Sequence, residues 1–260
     1  MTLEPPTHSA FLFAVSVAQA YSALIETADR EIGLGGKLFD AGELDDAGRA
    51  LVVAANIAGA ATLVASADRL AQKQALRDGV ADFLVNSLDE ALRILKNQLR
   101  KRETVSVCVG LSPALVEGEM SGRGVQADLL RHDLSIAPHH EALIFREGEE
   151  TEPGLRMIPA LVTWRVDSGR PQELAQLDAI AIGCLDQDDW QARRWLRLSP
   201  RYLGRPAHGL RLLAAHSEFA ARFWEQLREH VDRNQVAFAF ESCSWFRGAP
   251  DQFRFDPGAH

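Results

Sequence analysis

Hydrophobic and polar positions follow two alternating periods along the first half of the chain, and the alternation predicts an α/β protein. An apolar stretch over residues 9–30 predicts a first helix. Short apolar runs typical of strands then alternate with segments of helical period. The predicted strands are 37–44, 61–66, 82–86, 104–111 and 127–130. Strands separated by helices of about ten to fifteen residues form parallel βαβ units, so we expect a doubly wound, mostly parallel sheet.

Capping residues set the predicted helix boundaries within this alternation. The segment 46–59 predicts a helix that opens at an acidic cap, and a shorter helix is expected over 72–77. Ser87 and Glu90 have the spacing of a capping box, in which each side chain satisfies a backbone N–H. The helix that follows carries an apolar stripe, formed by Leu88, Leu92, Leu95 and Leu99. Ser112 and Pro113 predict the start of one more helix.

A charged stretch with proline and glycine, residues 146–159, predicts a boundary between two segments. We expect an N-terminal helix (1–36), a Rossmann-like domain (37–145) and a C-terminal α/β segment (160–260). In the last segment the predicted strands are 161–166, 178–185, 210–215 and 236–241, with helices near 172–177, 188–198 and 217–232. The pattern leaves open whether these strands extend the first sheet or form a second one.

Composition narrows the function classes. The net charge of −8 and the pI of about 5.5 disfavour a nucleic-acid partner, because an acidic surface repels phosphates. Three widely spaced cysteines predict no disulfide framework and fit a reducing compartment. The apolar run 10–20 is preceded by Glu4 and by no basic residue, which disfavours a signal peptide, and it is too short to span a bilayer. We therefore expect a cytoplasmic protein without a membrane partner.

Three pieces of sequence between residues 37 and 131 form a recognisable set. They are the segment 48–68, GRALVVAANIAGAATLVASAD, the SLDEA element within 82–96, and Gly122–Val125 with Asp128. In this order they resemble a helix, turn and strand, an SLDEA element and the RRGVxPD segment of the NAD-binding core of urocanase (urocanate hydratase). These matches cover roughly a third of the chain. The resemblance implies a Rossmann-like fold, NAD as cofactor, and a lyase of histidine degradation whose nicotinamide activates an imidazole for the addition of water.

The resemblance fails at the loop that binds the dinucleotide phosphates in that family. The alignment replaces its glycine fingerprint by Glu43-Leu44-Asp45-Asp46-Ala47-Gly48, and only Gly48 is retained. Glycines there let backbone N–H groups approach a diphosphate, whereas carboxylates add bulk and repel it. One pair of like charges about 4 Å apart costs about 4 kcal/mol at an effective dielectric of 20. The family's ribose-binding acid falls on Ser66, and Asp68 is the candidate substitute.

Two further groups are candidates for ligand contacts. Gly33-Leu34-Gly35-Gly36 repeats the letters of a phosphate loop, but it precedes the predicted strand and favours a simple turn. The loop after residue 130 is the second group, and of the family's TDQTSAHD segment it retains only Ser135. Its candidate ligand-contacting residues are His132, Asp133, Ser135, His139 and His140. With Glu141 they lack any zinc-site spacing, so we predict no metal centre there.

Two function classes remain open, with a third as a rival. The leading hypothesis is a urocanase-related Rossmann-like protein that has lost classical NAD binding. Such a protein would act as a non-catalytic partner or would bind a different small ligand, with a homo-oligomer left open. The alternative is a shortened urocanate hydratase that retains NAD. Metal-assisted chemistry at the 132–141 loop is the third hypothesis.

Overall fold

The computed structural model describes residues 8–134, 160–166, 171–203, 210–215, 217–234, 238–243 and 253–254. The chain divides into two compact units. One comprises residues 12–136 with 198–206, and the other comprises 1–11, 137–197 and 207–260. The units are described separately below, because each has its own sheet.

The first unit is a parallel five-stranded sheet with helices between its strands. Its helices are α1 (His8–Ile25), α2 (Asp46–Ala58), α3 (Arg69–Asp78), α4 (Leu88–Lys101) and α5 (Pro113–Gly122). Its strands are β1 (Leu38–Glu43), β2 (Ala61–Ala65), β3 (Phe83–Val85), β4 (Val105–Val109) and β5 (Leu129–Leu130). All the pairings are parallel and the order is β3-β4-β2-β1-β5. The predicted α/β class with a doubly wound, Rossmann-like sheet is confirmed.

The core of this unit explains why these segments adopt their elements. Every residue of β2 and β4 is buried, as expected for central strands covered on both faces. On one face the apolar stripe of α4 packs with Val116 and Met120 of α5 against alternate residues of β1, β2 and β4. Within that stripe Leu88, Leu92 and Leu95 are buried and Leu99 is partly buried.

Helix boundaries follow the capping signals. Ser87 accepts a hydrogen bond from the Glu90 N–H, as one half of the predicted capping box requires. The helix α2 begins after the acidic cap Asp45 and ends at Gly59, whose φ of 101° is in the left-handed region. Ser112 is the N-cap residue of α5 and Pro113 takes the first turn, although the Ser112 side chain makes no capping bond.

Long-range ion pairs connect the segments that resemble urocanase. The Asp128 carboxylate accepts a hydrogen bond from the Leu38 N–H at 2.8 Å and pairs with the Lys37 ammonium at 3.2 Å, so it joins the start of β1 to the start of β5. Arg123, after α5, pairs with Asp89 in the first turn of α4. These contacts stabilise the arrangement of the sheet and its helices without involving a ligand.

The second unit contains an antiparallel sheet of its own, which answers the question left open by the pattern. Its helices are α6 (Pro171–Cys184), α7 (Trp190–Tyr202), of which residues 190–197 belong to this unit, and α8 (Ser217–Asn234). Its strands are β6 (Ala160–Val166), β7 (Leu210–Ala215), β8 (Phe238–Cys243) and β9 (Phe253–Arg254). They pair in the order β7-β6-β8-β9.

The predicted strand at 178–185 is wrong, because those residues belong to helix α6 and the turn after it. Leu174, Leu177, Ala181 and Leu185 are buried at helical spacing. A short apolar run such as AIAIGCL fits a buried strand and a buried helix equally well, and only the wider window shows the helical period. No helix in the described ranges is long and apolar enough to cross a membrane.

A buried polar network stabilises the second unit. The Asp178 carboxylate accepts hydrogen bonds from Trp164 Nε1 and from Arg211 Nε, both at 2.9 Å. Both partners lose their acceptor when this carboxylate is removed.

We predict that Asp178→Ala destabilises this unit by about 3–5 kcal/mol, because a buried guanidinium and an indole N–H are left unpaired. Asp186→Ala, which removes an exposed partner of Arg222, should leave the unfolding midpoint nearly unchanged. Urea unfolding followed by tryptophan fluorescence measures both. Equal losses in the two variants would contradict the assigned role of the Asp178 network.

Candidate functional site

The turn between β1 and α2 is where a Rossmann-like fold would hold a diphosphate, and here a side chain of the protein fills the helix end. The strand ends at Glu43 and the helix begins at Asp46. Asp45, the N-cap residue, accepts a hydrogen bond from the Gly48 N–H at 2.6 Å. An anionic group therefore already lies at the positive end of the α2 dipole.

A guanidinium that follows β5, the strand paired with β1, holds this carboxylate in place. Arg131 follows β5, and its Nη1 and Nη2 atoms donate to the two oxygens of Asp45, each at 3.0 Å. Its Nη1 also donates to the Glu43 carbonyl at 3.2 Å. A two-pronged pair of this kind fixes geometry as well as charge.

The electrostatics of Asp45 reflect these contacts. Partial burial on its own raises the pKa of the Asp45 carboxyl. The hydrogen bond and charge of Arg131, together with the Gly48 N–H, outweigh that effect and hold the pKa below its usual value. The carboxylate is therefore ionised at neutral pH, with its charge compensated by Arg131.

Gly48, the one retained glycine of the fingerprint, is explained by packing. A Cβ at this position would lie 1.9 Å from the Glu43 carbonyl oxygen, closer than any side chain can approach. The glycine lets the first turn of α2 pack against the end of β1. Its N–H is donated to Asp45 and is not directed at a ligand.

The residues of this turn do not fit the diphosphate of NAD. A diphosphate at the α2 N-terminus would have to displace the Asp45 carboxylate from both Gly48 and Arg131. Asp45 is not an unpaired repelling charge, because Arg131 compensates it. The obstacle is occupancy of the helix end, with the exposed carboxylates of Glu43 and Asp46 as additional negative charges.

The end of β2 places Ser66 and Asp68 beside this turn. Ser66 is buried, and its hydroxyl accepts a hydrogen bond from the Asp68 N–H. Asp68 caps α3 by accepting from the Leu70 N–H at 2.8 Å. Asp45 and Asp68 line an open cavity of about 590 Å³ at the carboxyl ends of β1 and β2, with Arg49, Lys73 and Arg77. Arg49 is committed to an ion pair with Asp78 at 2.5 Å.

The glycine run 33–36 forms a turn at the opposite edge of the sheet. It precedes β1, and a Cβ at Gly35 would lie 3.3 Å from the Arg102 carbonyl oxygen, just before β4. The N–H groups of residues 33, 34 and 35 donate to Asp29, Ala58 and Ile32 carbonyls. Those N–H groups are used inside the fold, as the simple-turn prediction expects.

The candidate loop after β5 is described only in its first part. Arg131–Asp133 form a short 3-10 turn, and His132 is exposed at the carboxyl edge of the sheet. Ser135, His139 and His140 lie outside the described residues, as does Glu141. Within the described ranges, no group of three or more histidine, cysteine or acidic side chains is arranged to hold a metal ion.

A second cavity, of about 780 Å³, lies between α5 and the strands β1 and β5. Asp40 and His132 line it, and Asp40 is not among the site residues predicted from the sequence. The available signal was a carboxylate in the middle of a strand whose other charged residue, Glu43, is at its end. Residues two apart on a strand share a face, which puts Asp40 on the side where Leu38 joins the α4 and α5 core.

The first unit matches a known protein-family model. The family model described as Urocanase Rossmann-like domain matches residues 17–143, just under half of the chain. The matched range includes all five strands of the parallel sheet and extends past both ends of the segment 37–131. The resemblance to the urocanase Rossmann-like core is confirmed.

We predict that Gly48→Ala destabilises the first unit by about 3 kcal/mol or more, because the added methyl group collides with backbone. The matched control is Gly118→Ala in α5, where a Cβ meets nothing within 4 Å. That change should stabilise the unit by about 0.5–1 kcal/mol. Urea unfolding compares them, and a harmless Gly48→Ala would show that the turn is not closely packed.

We also predict a pH-dependent effect of Asp45→Asn, which keeps a capping acceptor but loses the charge. Because the pKa of Asp45 is lowered on folding, the charge stabilises the fold above the unfolded-state pKa. This contribution disappears as the pH falls through the folded-state value. The free energy of unfolding of the variant should be lower than that of the wild type at pH 7, by less than about 1 kcal/mol for an exposed pair, and the difference should narrow as the pH is lowered past the ordinary aspartate range. A difference that stays constant down to the most acidic pH at which both proteins fold would contradict this account.

Proposed function

We propose that this chain, whose residues 17–143 match the model of the Urocanase Rossmann-like domain, has lost classical NAD binding. On this proposal it binds a different small ligand, or serves as a non-catalytic partner of another protein. It does not act as a self-sufficient urocanate hydratase.

One observation carries the proposal: the Asp45 carboxylate occupies the α2 N-terminus and is held there by Arg131. Displacing it would give up a charge-assisted capping bond and a two-pronged ion pair before any diphosphate contact forms. The micromolar affinity typical of a cofactor corresponds to only about 8 kcal/mol. A competing internal anion removes a substantial part of that.

A second candidate, a shortened urocanate hydratase that retains NAD, also has an observation in its favour. The cavity beside the turn lies where the adenosine half of a dinucleotide would lie in a Rossmann-like fold. Asp68 lines it after β2, and the hydrogen bond that caps α3 uses only its Oδ1, so Oδ2 could accept from a ribose hydroxyl. This candidate requires Asp45 to turn away from the helix end on binding.

The proposed setting is the cytoplasm, supported by buried free thiols at Cys108 and Cys184. Burial raises the pKa of the Cys108 thiol to about 11, so it is a poor nucleophile. The proposed partners are a small molecule or another protein, including a second copy of the chain. The net charge of −8 argues against nucleic acid.

Calorimetric titration with NAD tests the proposal. We predict no micromolar binding to the wild type. Asp45→Gly should bind at least about tenfold more tightly than wild type, because the α2 N–H groups and Arg131 become available to the diphosphate. A glycine cap costs only a few tenths of a kcal/mol relative to aspartate, so the variant should stay folded.

The matched control is the double variant Asp45→Gly with Arg131→Ala, which frees the helix end but removes the guanidinium. It should lose most of the gain. Micromolar NAD binding to the wild type would overturn the proposal. Loss of urocanate absorbance on incubation with the wild type and NAD would establish the second candidate.

A further inference from the structure

The cavity between α5 and the strands β1 and β5 has the composition of a small-ligand site. Its volume of about 780 Å³ is within the usual range for such sites. Apolar side chains from α5 and the chain after it line much of the cavity, among them Val116, Met120 and Val125. Polar groups come from β1 and from the end of β5. An apolar cavity with a few polar groups on one side is the usual form of a pocket that orients an organic molecule.

The negative charge of Asp40, which lines this cavity, is not needed for folding. Within the described ranges its carboxylate accepts one hydrogen bond, from the Gly42 N–H at 2.9 Å, and forms no ion pair. That bond stabilises the irregular end of β1, where Gly42 has a φ of 68°. A neutral acceptor such as asparagine would serve the turn equally well. The negative charge is therefore a cost to folding in the absence of a cation.

The surroundings of Asp40 favour a cationic ligand over an anionic one. Burial raises the pKa of the Asp40 carboxyl, and the nearby Glu117 charge raises it further. The Gly42 N–H and His132 act in the opposite direction without cancelling the rise. Arg131, which also lines the cavity, is committed to Asp45 and to the Glu43 carbonyl. The two carboxylates at the cavity, Asp40 and Glu117, form no ion pair with Arg131 in the part of the chain that the structure describes.

We propose that this cavity binds a small organic cation, a primary ammonium group on a short apolar body, with the ammonium on Asp40. Glu117 at the rim adds a second favourable charge, and the apolar body lies against Val116 and Met120. The inference deepens the proposed role of the chain as a small-ligand binder. The two cavities share no lining residue. Arg131 connects them, because it lines this cavity and pairs with Asp45 at the β1–α2 turn.

The test uses benzylamine as the probe, with benzyl alcohol and phenylacetate as neutral and anionic probes of similar size. Titrations of the ¹⁵N-labelled full chain are followed by NMR. We expect saturable shifts at the amides of Gly42, Val125 and His132 with benzylamine. The affinity should be about millimolar, as for so small a molecule. Benzyl alcohol should bind at least about tenfold more weakly, and phenylacetate should cause no shifts there.

Two variants assign the effect to the carboxylates. Asp40→Asn keeps the acceptor for Gly42 and should weaken benzylamine binding about tenfold or more, while its melting temperature rises because a buried charge is removed. Glu117→Gln, on the exposed side of α5, should weaken binding about threefold and provides a second test if Asp40→Asn folds poorly. Glu103→Gln removes the same charge far from the cavity and should bind like the wild type.

Equal binding of benzylamine and benzyl alcohol would overturn the inference, as would unchanged benzylamine binding in both Asp40→Asn and Glu117→Gln. A parallel NAD titration separates the two proposals. Micromolar NAD binding with intact benzylamine binding contradicts the proposed loss of the cofactor alone, whereas the absence of both leaves that loss standing and removes the ammonium site.

Discussion

The Asp45 carboxylate is held between the α2 N-terminus and Arg131, and this interaction determines what the β1–α2 turn can bind. Helix N-termini at the first turn of a Rossmann-like sheet attract anions because their N–H groups and dipole point at the same place. Here the chain supplies that anion from its own N-cap residue. Arg131 then ties it to the turn that follows β5. The interaction stabilises the fold, and the helix end that would receive a diphosphate is already satisfied.

The residues that resemble urocanase are mainly those that stabilise this unit. Gly59 ends α2 with a positive φ, Asp128 joins β1 to β5, and Asp89 pairs with Arg123. Gly48 permits close packing of helix on strand. Within the β1–α2 turn, the residues that differ from the family's pattern are those that would contact a phosphate. A scaffold kept by packing, with its phosphate contacts replaced, is consistent with a fold that hosts a different ligand.

Sequence could predict the first unit well because its strands are central, apolar and bounded by caps. It was wrong at 178–185, where an eight-residue window contains the period of a strand and only a longer one contains that of helix α6. It located the β1–α2 turn and its acidic residues. It could not find the Arg131 partner of Asp45, because nothing local relates residues 86 apart. Asp40 was missed because a cavity is formed by tertiary packing.

The most direct measurement is an NMR titration of the ¹⁵N-labelled wild type with ADP-ribose, followed at the amides of residues 44–48. This molecule contains the diphosphate without the nicotinamide, so it reports on the helix end alone. The account predicts no saturable shift of these amides at micromolar concentrations, because Asp45 already accepts the Gly48 N–H. Saturable shifts at Asp46, Ala47 and Gly48 in that range would contradict it.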